Sequence, residues 1–126
     1  MGFLALMMSP DSPAFPATIV VTTTSAVEGH RVVAQKGIVR GLKVRMPTKG
    51  EAISDILFFD LRAYAERCEQ ARQSAHDLMI WQAASLGANA VIGVTYDSSQ
   101  LYRGLFVMRA TEILCYGTAV VIEPIT

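Results

Sequence analysis

Residues 61–96 read LRAYAERCEQARQSAHDLMIWQAASLGANAVIGVTY, and this stretch sets the fold class. Leu61, Tyr64, Cys68, Ala71, Ala75, Leu78, Gln82 and Leu86 recur in it at three- or four-residue steps, the period of a helix. Arg62, Glu66, Glu69, Gln70, Gln73 and Asp77 take much of the other side. The spacing predicts an amphipathic helix from Leu61 to Leu86, with Leu57 extending the apolar stripe. Gly87 suits the left-handed residue that closes such a helix. The pattern then switches at once to Ala90–Tyr96, AVIGVTY, a strand expected to put Ile92, Val94 and Tyr96 on one face. Asp97-Ser98-Ser99 reads as a turn.

Upstream, Thr18–Thr24, TIVVTTT, is β-branched throughout and reads as a strand. Glu28-Gly29 turns the chain into a long extended run from Arg31 to Met46, ended by Pro47, Lys49 and Gly50. This run carries Arg31, Lys36, Arg40, Lys43 and Arg45 and no acid. Strict alternation splits Lys36 and Arg40 from Lys43 and Arg45. A β-bulge at Gly37 or Gly41 is therefore expected. Placed at Gly41, it gathers Val33, Val39, Leu42, Val44 and Met46 on one face and the four cations on the other. Ala52–Phe59 is expected to be helical, with one ring of Phe58-Phe59 off the core. Downstream, Gly104–Glu123 is extended and apolar on both faces, with a bend near Thr111-Glu112 or Gly117. One helix covers one face of a small sheet; the second face calls for a neighbouring subunit. The prediction is an α+β domain of two layers, an antiparallel sheet with one long helix. Residues 1–17, with Pro10, Pro13 and Pro16, read as a flexible arm, and 18–126 as a single domain.

The composition agrees. Of 126 residues 52% are hydrophobic and 17% charged, with 11 Lys+Arg against 11 Asp+Glu. Disorder and a globally basic nucleic-acid binder are excluded on this balance. So few charges coat a small monomer poorly, which points to self-association. Two cysteines do not make a disulfide framework and suit a reducing, cytoplasmic setting. No apolar run reaches the ~18–20 residues of a membrane span.

Chemistry-bearing patterns are sparse. Cys68 and His76 stand eight residues apart, about 12 Å along a helix, too far for one metal ion. His30 sits in a turn. CxxC, HExxH, GxSxG, phosphate-loop and dinucleotide spacings are all missing, so the sequence assigns no cofactor. Arg67 and Arg72 beside Cys68 would lower a thiol pKa, but its place in the apolar stripe makes core packing the simpler role. The basic strand is the most distinctive feature. Arg31–Lys49 holds six cations and no acid, whereas Glu51–Asp77 holds six acids and three cations. These regions complement one another, within or between subunits, or the strand is an anion-binding face repeated by oligomerisation.

Several pieces, in order, resemble the YbjQ-like family of small bacterial proteins of unknown function, also called the "putative heavy-metal-binding" domain family. They are Thr22-Thr23-Thr24 with Glu28-Gly29, Gly37-x-Val39-x-Gly41, Tyr64, Ala71-Arg72 with Ala75, Leu86–Val94 and Gly117-Thr-Ala-Val120. The resemblance covers Thr22 to Val121. It implies a dodecin-like subunit assembled into a ring-shaped homopentamer, with no established catalytic activity. The chain departs from the family where a Gly-Gly-Arg piece becomes Phe58-Phe59, where Ala65 replaces an acid after Tyr64, and in its extra arm.

The leading expectation is a non-enzymatic homo-oligomer, a scaffold or a holder of a small metal or anion. Lys36, Arg40, Lys43, Arg45, Tyr64 and Arg72 are the candidate ligand-binding residues. His30, His76 and Cys68 are the candidate metal ligands. The alternative is an enzyme whose site forms between subunits from Cys68, His76, Tyr64 and Arg72. Binding to nucleic acid through the basic strand is disfavoured by the zero net charge, and the expected partner is a further copy of the chain.

Overall fold

The computed structural model describes residues 19–46, 50–51, 57, 60–103 and 108–126. The arm, most of Ala52–Phe59 and the connection at 104–107 lie outside the described residues. The elements are β1 (Val20–Val21), β2 (His30–Arg45), α1 (Leu61–Ser85), β3 (Ala90–Arg103) and β4 (Met108–Pro124). The strands form one sheet in the order β1-β3-β4-β2, with α1 packed on one face. The two layers and the single long helix are as the sequence predicts. The sheet itself is mixed rather than antiparallel: β2–β4 and β3–β4 are antiparallel, but β1 runs parallel to β3 through Val20↔Ala90 and Val21↔Val91. The crossover through β2 and α1 imposes that direction on β1.

The helix is closed at both ends as its sequence dictates. Asp60 is the N-cap, its Oδ1 accepting from the amides of Arg62 (3.0 Å) and Ala63 (3.4 Å). At the other end Gly87 takes φ 81°. The amide of Gly87 donates to the carbonyl of Ala84, and that of Ala88 to Ala83, a Schellman pair. The buried face differs from the predicted stripe. Ala71, Ala75, Met79 and Ala83 are buried, while Leu57, Leu61 and Leu86 are exposed. The reason lies in β2. A Cβ at Gly41 would come within 1.8 Å of the Ala75 carbonyl oxygen, so helix and strand touch backbone to backbone and admit small side chains there.

Three bulges reset the faces of the strands. On β2 the register with β4 slips between Val32 and Ala34 and again between Gln35 and Gly37, where Gly37 has φ 115°. The expected bulge is thus at Gly37, and Gly41 pairs regularly with Cys115. The cations therefore do not share a face. Lys43 and Arg45 follow Val39 and Gly41 on the helix side; Arg40 pairs with Tyr116 on the opposite side; Lys36 is the extra residue of the bulge. On β3 a slip between Ile92 and Thr95, with Gly93 at φ 62°, sends Tyr96 to the helix side and leaves Ile92 behind. The predicted common face for Ile92, Val94 and Tyr96 is overturned by this glycine. The predicted turn at Asp97-Ser98-Ser99 is overturned too, because β3 stays paired with β4 as far as Arg103↔Met108.

The core beneath α1 joins Val39, Val91, Val94, Ile113, Cys115 and Ala119 to the helical alanines and Met79. On the far side Ala90, Val120 and Ile122 are covered by Val27 and Ile92. Beyond that small cluster the far face carries Ile38 (77% exposed), Leu42 (49%), Val44 (51%) and Tyr116 (38%).

Candidate functional site

The helix packs chiefly on β2 and β4, so a cleft opens between α1 and β3. Glu69, Arg72, Gln73 and His76 line it from the helix and Tyr96 from the strand, around a volume of about 370 Å³. The helical residues recur at three, one and three steps and so form one stripe. Tyr96 reaches them because the Gly93 bulge turns it to the helix side.

Two hydrogen-bonded rungs join the walls. The Tyr96 hydroxyl and His76 Nδ1 are 2.7 Å apart. Farther along, Gln100 Nε2 donates to the Tyr64 hydroxyl at 3.0 Å. Arg72 Nη1 donates to Glu69 Oε2 at 3.4 Å, and Gln73 Nε2 to Asp77 Oδ1 at 2.9 Å. Behind Tyr96 lies its cross-strand partner Cys115, whose thiol points at Met79 Sδ, 3.4 Å away. Burial, then the neighbouring thiol, raises the Tyr96 pKa above its ordinary value. Burial likewise raises the Cys115 thiol, offset in part by the Tyr96 hydroxyl. Both groups are therefore protonated near neutrality.

A second polar cluster ties β2 to the helix. Glu51 Oε2 lies 2.6 Å from Arg45 Nη2 and 3.1 Å from Arg67 Nε, all half-buried. Arg67 also stands over the Tyr64 ring, 6.0 Å from its centroid. Here the complementation of basic strand and acidic region occurs within one subunit. Among the described residues it does not extend to Lys36, Arg40 or Lys43, and Arg31 pairs instead with Glu123 at 3.5 Å.

Of the predicted site residues, the cleft brings together only Arg72 and His76. Tyr64 is on the second rung. Cys68 is half-buried and Cys115 buried, both as free thiols. The four groups of the enzyme alternative do not converge on this cleft. Lys36 sits in the Gly37 bulge, and regular alternation through Gly41 separates Arg40 from Lys43 and Arg45, so the four do not gather; His30 bonds through Nδ1 to the carbonyl of Glu28 at 2.9 Å. Glu69, Gln73 and Tyr96 were not predicted for the cleft. Gly93 inside an apolar strand is the signal that would have placed Tyr96.

The comparisons with known proteins bear on this geometry. A family model described as "Putative heavy-metal-binding" matches residues 19–123. The chain belongs to the YbjQ family. Family relatives include a UPF0145 protein of Paraburkholderia phymatum, 43% identical, covering 79% of this chain and 89% of its own. One from Solibacter usitatus is 41% identical, covering 82% and 92%. UPF0145 protein lpl0253 of Legionella pneumophila is 39% identical, covering 83% and 99%. A crystal structure of a DUF74-family protein of unknown function from Pediococcus pentosaceus superposes with a TM-score of 0.60 at 17% identity, covering 83% of this chain and 98% of that one. That likeness concerns the fold alone.

The metal in the YbjQ family's description finds no ready cage here. Among the described residues no three His, Cys, Asp or Glu side chains gather as a metal site. His76 Nδ1 is already engaged by Tyr96, and Cys115 faces a thioether in the core. This donor set does not fit a closed zinc-type site. No described helix is long and apolar enough to cross a membrane.

Proposed function

We propose that this YbjQ protein is a non-enzymatic homo-oligomer, a pentamer, that serves as a scaffold or holds a small anionic ligand. The observation that carries the reading is the row Ile38, Leu42, Val44 and Tyr116 on the sheet face away from the helix. Such an apolar row, with Arg40 set among it, on a small, weakly charged subunit is best covered by another copy. Exposed Leu57 and Leu61 add apolar surface at the start of the helix. Lys36, Arg40 and Lys43 have no ion-pair partner among the described residues, and assembly would multiply their positive field. Free thiols in both cysteines favour the cytoplasm as the compartment.

Native mass spectrometry of full-length protein, purified without chelator at micromolar concentration, tests this directly. A fivefold subunit mass supports the proposal. A monomer overturns the assembly, and a stoichiometric bound metal overturns the preference for an anion.

A further inference from the structure

The cleft between α1 and β3 is crossed by two aromatic rings. The Tyr96 and His76 rings lie within 10° of parallel, with centroids 6.2 Å apart. Laid in a line, a phenol radius, its C–O bond, a hydrogen bond and an imidazole radius span about 6.6 Å. A separation of 6.2 Å, with hydroxyl and Nδ1 in contact at 2.7 Å, therefore sets the parallel rings side by side rather than face to face. Together they form a hydrogen-bonded plate of two parallel ring faces, and Tyr96 is 46% exposed. The Tyr96 hydroxyl, a phenol whose pKa is raised further by partial burial, carries no negative charge near neutrality.

Arg72 lines the same cleft. Its guanidinium offers a planar fork of donors, yet its contact with Glu69 is a single one of 3.4 Å between exposed side chains. A strong charge-assisted bond measures roughly 2.7–2.9 Å, and exposed pairs of this kind are weak. Glu69 is thus a placeholder that another carboxylate can displace. The volume of about 370 Å³ suits a ring with one small substituent.

We propose that this cleft binds a planar aromatic carboxylate, its ring against the Tyr96–His76 plate and its carboxylate on Arg72 in place of Glu69. The inference rests on the ligand-binding half of the proposed function and is independent of the assembly. Planarity matters at both ends: the fork matches a carboxylate two oxygens at a time, and the plate matches a ring by its face.

Isothermal titration of the full-length protein with benzoate, benzamide and acetate tests it. Benzoate should saturate at one equivalent per chain. Benzamide, lacking the charge, and acetate, lacking the ring, should each bind roughly tenfold more weakly or worse. Arg72→Gln should weaken benzoate roughly tenfold, and Glu69→Gln, which removes the competing carboxylate, should tighten it severalfold. Both positions are exposed on the helix, so neither variant threatens the fold. Equal binding of benzoate and benzamide, no saturable benzoate binding, or indifference to both substitutions would overturn the proposal. The native mass of the same samples separates the two readings: absent benzoate binding by an intact oligomer overturns the aromatic-acid site alone, whereas a monomer that binds benzoate overturns the assembly alone.

Discussion

Gly41 and Ala75 meet through their backbones: a methyl group on Gly41 would lie 1.8 Å from the carbonyl oxygen of Ala75 and 2.9 Å from the amide nitrogen of Met79. The close approach of helix to sheet depends on that missing side chain. Neither partner can yield, because each is held in a regular element.

Gly41→Ala should therefore cost about 3 kcal/mol or more in denaturant unfolding. Gly37→Ala is the informative comparison. Nothing lies within 4 Å of a Cβ there, but φ is 115°, so only backbone strain of about 1–3 kcal/mol opposes it. Similar losses at both sites would contradict the packing account.

Asn89 acts as a strand residue through its side chain. Its Oδ1 accepts from the Ile122 amide at 2.7 Å and its Nδ2 donates to the Ile122 carbonyl at 3.0 Å. Asn89→Ala leaves both groups unpaired and should cost about 1–3 kcal/mol by chemical denaturation. Asn89→Asp should not restore the loss, because it sets a carboxylate oxygen against the Ile122 carbonyl.

Alkaline pH should destabilise the fold through Cys115. Burial raises its folded-state pKa, so above the ordinary thiol range the unfolded chain gives up a proton that the folded chain retains. Stability contributed this way is complete below the unfolded thiol pKa and is lost as pH rises through the folded one. Denaturant midpoints should fall between about pH 8 and 10. Cys115→Ala should flatten that slope while lowering stability at every pH.

The far sheet face should govern assembly. Ile38→Lys and Leu42→Lys change exposed side chains, so the subunit should keep its circular dichroism spectrum and lose its oligomeric mass in light scattering. An unchanged mass in the double variant would exclude this face as the subunit contact.

Much of this architecture is legible in the sequence, and the misplaced strand faces share one cause. The helix, its Gly87 end and the long runs of β2 and β4 follow from periodicity and capping chemistry. The faces of the strands do not, because a single inserted residue exchanges them. Gly37 and Gly41 both fitted a bulge by pattern; only the packing of Ala75 distinguishes the glycine that bends the strand from the one that admits the helix. Gly93 hid in the same way, and with it the place of Tyr96. The cleft was half visible. Arg72 and His76 belong to the helix pattern, whereas their partner across the groove depends on the register of a strand that a polar run, Asp97 to Gln100, disguised as a turn.

Gln82 carries a consequence for how copies can join. From α1 its Oε1 takes the amide of Arg40 at 2.7 Å, on the outermost strand of the sheet. A strand from another molecule adding along that border would need this same amide, and it is already taken. The helix thus blocks strand addition at Arg40, where unguarded pairing would be a step toward fibres.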